Sequence, residues 1–258
     1  MSFSPNDNFW LNVTQGLITK YSEEHVFGTS ADISTTFVPI ARDNVYATPT
    51  TAQSLEILSS DANDTSAGTG ARTVTIRGLN SSWVEVEQTV SMNGTTAVAL
   101  GTDLIRVYEM YVATSGAYAT QTVPSHLGTI TLRIAGGGAT WLVIYADGFP
   151  RGQSQCGIRT IPAGKTAVAY YHYAAVDANK SADLIFFSRE NADTVAAPYS
   201  GMRAGPEFVG LSGFLSLIDI ASPAGPFVGP CDIGFMGTFP ASTGSITIDY
   251  ELVLFDTI

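Results

Sequence analysis

Charged side chains are scarce in this 258-residue sequence. Only 14% of its residues are Asp, Glu, Lys or Arg, well under the quarter usual in globular domains. Lys and Arg number 12 against 23 acids, which gives a formal net charge of −11. A phosphate backbone repels such a surface, so nucleic acid is excluded as the expected partner. Histidine occurs three times, at His25, His126 and His172. The three lie far apart, without the neighbours that a nucleophile–base pair requires. Cysteine occurs twice, at Cys156 and Cys231. These read as two buried thiols, with one disulfide as the alternative. No run approaches the roughly 18 apolar residues of a membrane span. The start, Met1 to Asp7, has neither the basic residues nor the apolar core of a signal peptide, so no export and no membrane are expected.

Helical periodicity is missing too. No window sustains a 3.6-residue period over three turns, and helix is expected only as single turns, as at Ala192 to Ala197. Alternation takes its place. Arg72 to Leu79 and Val84 to Met92 read as a β-hairpin turned at Gly78 to Ser82, with Val74 and Ile76 on one face and Val84, Val86, Val90 and Met92 on the matching one. Asn93-Gly94 supplies the positive φ of a tight hairpin turn. Further strands are expected at Leu104 to Val112, Thr129 to Ile134, Trp141 to Tyr145, Cys156 to Ile161, Thr166 to Val176, Leu184 to Phe187, Phe208 to Ile218, Cys231 to Phe239 and Ser245 to Phe255. Regular spacing of short strands with turn residues between them predicts an all-β protein of antiparallel β-sandwich type. The expected division is an N-terminal arm and first strand over 1–60, a first sandwich lobe over 61–150 and a second over 151–258, both jelly-roll-like. Phe9, Trp10 and Leu11 are apolar anchors in the arm and the candidate contacts to a partner.

The residue patterns that usually carry chemistry are incomplete here. Gly164-Lys165-Thr166 ends like a phosphate loop, but Arg159 stands where its first glycine belongs and no helix follows, so a hairpin turn is expected. Gly152-Gln153-Ser154-Gln155-Cys156 lacks the second glycine of a nucleophile elbow. Asp61 to Thr65 alternates oxygen ligands as a calcium loop does, yet Ser66 replaces its glycine and Arg72 its terminal glutamate. Glu85 and Glu87 fall on one strand face, about 7 Å apart. That is a glycosidase-like spacing on a regular hairpin, and a solvated or subunit-facing surface explains it better. His172 among Tyr170, Tyr171 and Tyr173 reads as a core or interface histidine, and His126 as an exposed loop residue. No enzyme, cofactor or metal site is therefore expected.

One stretch carries a family resemblance. The run Ala62-Asn63-Asp64-Thr65-Ser66-Ala67-Gly68-Thr69-Gly70-Ala71-Arg72-Thr73-Val74 resembles a segment of virion structural proteins of tailed bacteriophages, many of them marine. The Gly-Leu-Asn turn, the Glu-rich strand and Asn93-Gly94-Thr95-Thr96 that follow resemble the same group. So do His25 to Gly28, Asp32 to Thr36 and Ile161 to Thr166. The likeness spans roughly half the chain, and Gly-Thr-Gly-Ala-Arg-Thr-Val is its most specific part. It implies a place in a virus particle after synthesis in the host cytoplasm. A capsid cement or decoration protein is the first expectation, bound to the major capsid protein and to copies of itself as a homotrimer. A tail-associated or receptor-binding β-protein, with Tyr199 or Phe227 exposed in loops, and a small double-jelly-roll major capsid protein are the alternatives.

Overall fold

The computed structural model describes residues 12–13, 15–146, 151–218 and 223–257, apart from the side chains at 217 and 218. Phe9, Trp10 and Leu11 lie outside these residues. The all-β expectation holds: among the described residues seventeen strands form four antiparallel sheets, and helix is confined to Asn12 and Val13.

The chain begins in one lobe, builds a second, and returns. Strands β1 (Tyr21–Ile33) and β2 (Val38–Pro39) open the first. Seven strands of the inserted lobe follow: β3 (Leu55–Ser59), β4 (Ala71–Leu79), β5 (Glu85–Ser91), β6 (Val98–Ala99), β7 (Arg106–Ser115), β8 (Ile130–Ile134) and β9 (Thr140–Ile144). The chain then completes the first lobe with β10 (Ile158–Ile161), β11 (Lys165–Val176), β12 (Ala182–Glu190), β13 (Arg203–Leu211), β14 (Phe214–Ile218), β15 (Ala224–Val228), β16 (Cys231–Thr238) and β17 (Gly244–Asp256).

The outer lobe is a jelly roll. One sheet runs β1-β17-β11-β14, with β15 beside β11; the other runs β10-β16-β12-β13, with β2 beside β16. If β14 and β15 are taken as one interrupted strand and the two-residue β2 is set aside, the eight positions read 1-8-3-6 and 2-7-4-5, the strand order of a double-sheet roll. The inserted lobe packs β6-β3-β8-β9 against β5-β4-β7. It is a sandwich without that order. Each lobe buries its own core. Ile33, Leu184, Phe186, Phe235, Ile248 and Tyr250 lie in the roll. Leu55, Ile76, Met110, Leu132 and Trp141 lie in the inserted lobe. Each such side chain, fully withdrawn from water, contributes roughly 1.5–3 kcal/mol.

Several expectations change. Tyr21–Ile33 is not part of an arm: it pairs with β17 along nearly its whole length, from Tyr21 opposite Phe255 to Ile33 opposite Gly244. Val26, Gly28 and Ser30 alternate inward there, and the small polar residues between them had hidden the period. Asn93-Gly94 does turn, with Gly94 at φ +60°, but β5 and β6 belong to different sheets, so it joins layers rather than closing a hairpin. Gly164 likewise turns the chain from one sheet of the roll to the other. Phe208 to Ile218 divides into β13 and β14, which lie in opposite sheets. Ala192 to Ala197 forms turns and bends, not a helical turn.

The two chain crossings between lobes run side by side. Arg42 N–H donates to Gln155 O at 3.0 Å and Gly157 N–H to Ile40 O at 2.8 Å, while Ala41 bridges Cys156. This short antiparallel ribbon threads against β1 so closely that a Cβ on Gly28 would stand 2.3 Å from Gly157 N. No larger residue fits there without moving backbone. Cys156 belongs to the inserted core and Cys231 to the roll core, so they are separate buried thiols. Burial pushes both up to about 12.

Candidate functional site

Charge collects between the lobes. Arg106 and Arg159 are the largest fully buried side chains, each only 1% exposed, and they cross the interface in opposite directions. Both sit in apolar strand sequences, Ile105-Arg106-Val107 and Ile158-Arg159-Thr160-Ile161. A lone charge inside an apolar strand is the signal that could have found them.

Arg106 leaves β7 and meets Asp232 on β16. Nε donates to Oδ1 and Nη2 to Oδ2, both at 3.0 Å, a parallel two-bond fork. Nη1 donates to Ile105 O at 2.9 Å and to Pro49 O at 3.2 Å. Thr160 Oγ1 donates to Asp232 Oδ1, and the guanidinium carbon lies 4.8 Å from the Trp83 ring centre. Asp232 is 2% exposed, so the pair is sealed from water.

Arg159 leaves β10 toward a cleft of about 440 Å³. Nε and Nη2 donate to the two oxygens of Glu24 on β1, at 2.6 and 3.0 Å. Nη2 also reaches Glu85 Oε1 on β5, and the guanidinium carbon stands 3.6 Å from the centre of the Tyr108 ring. Tyr108 O–H donates to Glu85 Oε1 at 3.0 Å. Tyr108 points this way because β7 carries a bulge. Gly78 is opposite Val107 and Arg77 is opposite Glu109, leaving Tyr108 unpaired. The extra residue lets Val107 and Met110 both enter the core and sends Tyr108 to the other face. Arg77 bonds Glu109 at 2.8 Å and lies 3.6 Å from Glu87.

Burial resists the ionisation of Glu24, but the charge and hydrogen bonds of Arg159 outweigh it and hold the carboxyl below its usual range. Burial raises Tyr108, which Arg159 counters and Glu85 reinforces. Burial also works against the charge on Arg159, yet Glu24, Tyr108 and Glu85 together raise its value. The guanidinium of Arg159, both Glu24 oxygens, the Tyr108 hydroxyl and Glu85 Oε1 all have protein partners. It is built to join lobes and has no spare nucleophile or base among the described residues.

The loop of the family-like run has its own centre. Asp64 is fully buried. Its Oδ1 accepts N–H bonds from Ala71 at 2.7 Å and Leu127 at 2.9 Å; its Oδ2 accepts Gly128 N–H at 2.8 Å and the Ser59 hydroxyl. A carboxylate turned inward onto three amides is not offered to a cation, so the calcium-loop alternative fails. Gly70 is required beside it, since a Cβ there would meet Asp64 Oδ1 at 2.0 Å.

The remaining sequence candidates are scattered. Glu85 and Glu87 do share one face, but they pair with Arg159 and Arg77 respectively. Val84, expected inward, is exposed, and Thr75, which alternates with Val74 and Ile76, is buried as they are. His126 is buried rather than exposed; its Nε2 lies 3.1 Å from Tyr145 O and its Nδ1 3.3 Å from Ser125 Oγ, with no carboxylate to orient it. His172 meets Phe186, Phe235 and Tyr250 at ring separations of 5.4, 5.9 and 6.2 Å, as a core histidine does. Tyr199 is 62% exposed, whereas Phe227 is buried in the roll core. No described helix is long and apolar enough to cross a membrane.

No protein-family model matches the chain, and no curated protein matches it. Among solved structures it is similar to infectious bursal virus derived T=1 particles, at 11% identity over 91% of this chain and 69% of that one, with a TM-score of 0.26. A mutant VP2 protein of infectious bursal disease virus in T=1 particles gives 11% identity, coverage of 92% and 74%, and a TM-score of 0.23. A VP2 subviral particle gives 9%, 92% and 76%, and 0.20. Overlap this low carries no argument about fold or role.

Proposed function

We propose that the protein is a non-enzymatic structural component of a virus particle, a cement or decoration protein that binds the shell and copies of itself. The observation that carries this reading is a jelly roll with an uncovered edge. Among the described residues β13 pairs only with β12, and all nine of its residues are exposed or half-buried. It carries Phe208, Val209 and Leu211, with Met202 and Phe214 exposed at its ends. Arg203, Pro206 and Glu207 guard the start of this strand, but its exposed apolar end at Val209 favours a covering neighbour. Closed symmetric association supplies that cover, and a homotrimer seated on the shell is the form we propose. The resemblance carried by residues 62 to 74 supports the same reading. The role assigned to Phe9, Trp10 and Leu11 is to reach the shell or a neighbouring copy.

A tail-associated or receptor-binding role is the second reading. Exposed loop aromatics favour it, namely Tyr118 at 90% and Tyr199. The double-jelly-roll capsid alternative loses support, because one lobe lacks the roll order and is inserted rather than tandem.

Quantitative mass spectrometry of purified particles decides between the readings. Hundreds of copies per particle are expected for a shell protein. A handful would select the tail reading, and absence from particles would defeat both. Light scattering on the purified chain tests the trimer, and a stable monomer at micromolar concentration would overturn it.

A further inference from the structure

We propose that His25, Asp249 and Glu251 form a surface site for a divalent transition-metal ion, with zinc as the type cation. The inference is independent of the virion reading. His25 on β1 stands directly opposite Glu251 on β17, and Asp249 lies two residues along β17. All three therefore project from the outer face of one sheet. One donor atom from each lies within 4.8 Å of the other two. His25 Nε2 is 2.6 Å from Asp249 Oδ1 and 4.0 Å from Glu251 Oε1. Zinc takes nitrogen and oxygen donors at about 2.0–2.2 Å, so two donors on one ion stand roughly 3–4 Å apart. The present separations bracket that span, and small side-chain rotations suffice to close on an ion.

Charge points to the same occupant. Among the described residues neither Asp249 nor Glu251 is ion-paired with Lys or Arg; the two carboxylates share one imidazole. Two carboxylates set against one shared imidazole leave negative charge uncompensated, which a cation would offset. The donor set selects which one. Imidazole with carboxylates suits zinc, nickel or cobalt, whereas calcium and magnesium prefer oxygen alone.

The scaffold is stiff where it needs to be. β17 is held on its other side by β11, with Tyr171 opposite Glu251 and Tyr173 opposite Asp249. Ladder register, not a loop, sets the donor spacing. His25 is half-exposed, so the ion has access and water completes its coordination. Because β1 is the edge of its sheet, a bound ion would staple that edge to the strand beside it.

The test uses the full chain without a polyhistidine tag, stripped with chelator and titrated calorimetrically with zinc chloride, nickel chloride or calcium chloride. One saturable zinc site per chain is expected. A hundredfold zinc excess over Kd should raise Tm by about 5–10 °C. His25→Asn and Glu251→Gln should each weaken binding by on the order of 100-fold, the equivalent of losing one ligand. Asp256→Asn removes a carboxylate from the far end of β17 that pairs with Lys165 at 2.7 Å, and should change nothing. Circular dichroism confirms that each variant is folded. The proposal is overturned by the absence of a saturable site in the parent chain. It is equally overturned if Asp256→Asn loses as much affinity as His25→Asn, or if calcium binds as tightly as zinc.

Discussion

Two buried arginines join the same pair of lobes, and their surroundings make them different devices. Arg106 and Asp232 are closed on every side, with Thr160, Trp83 and backbone carbonyls completing the enclosure. Arg159 is as deeply buried, but its partners are not: Glu24 is 17% exposed and Glu85 38%, at the wall of an open cleft. Losing one partner of a buried pair is costly mainly because the other charge is stranded without water. The sealed pair has no water to fall back on, whereas the cleft pair does.

The largest effect should come from Arg106→Met. It strands the Asp232 carboxylate, and urea titration should show a loss of about 3–5 kcal/mol. Adding Asp232→Leu should recover much of that loss, since no charge is then stranded, although Thr160 Oγ1 loses its acceptor and keeps only the Tyr46 hydroxyl. An additive double mutant would show that the cost lies in packing instead. Arg159→Met should cost less, about 2 kcal/mol, because cleft water can solvate the freed Glu24. Equal losses at the two sites would erase the distinction between them.

Acid should separate the two clamps as well. The folded-state value of Glu24 is depressed, so its contribution is fully present above the unfolded carboxylate range and is lost as pH falls through the folded value. The urea midpoint should therefore drop more steeply on acidification in the parent chain than in Arg159→Met. The smallest effect belongs to Glu85→Gln. That carboxylate is more than a third exposed, so the change should stay below about 1 kcal/mol and shrink further in salt.

Strand existence was legible in the sequence because alternation reports local geometry. β4, β5, β8, β11 and β17 lie within a few residues of the stretches that alternate. Three things were not local enough to read. β1 pairs with residues more than two hundred positions away, and its small polar residues weaken the period. Tyr108 is inverted by a bulge, which shifts parity without leaving a composition mark. Asp64 sits in a polar loop that resembles a cation site until the amides of Leu127 and Gly128 arrive from a distant turn. The candidate site suffered most. Its residues come from β1, β4, β5, β7, β10 and β16; the sequence marked Glu85 and Glu87 by their shared strand face, and the arginines only by the apolar flanks of Arg106 and Arg159.

The insertion of one lobe between β2 and β10 sets an order in time. During synthesis, every strand of the inserted lobe is available once Ile144 has emerged. β1, made before the inserted lobe, has its sheet partner only when the last long strand is complete, because among the described residues it pairs with β17 alone. The nascent chain therefore carries an unpaired thirteen-residue strand past a lobe that is already folded. Domains that close early shield what waits beside them, and strands that wait are the ones exposed to wrong partners. In the finished fold the ribbon at Ala41 and Cys156 lies against β1, where Gly28 and Gly157 meet. Fusing the ends and opening the chain elsewhere would remove that delay, so a circular permutant starting at β10 should refold faster than the parent.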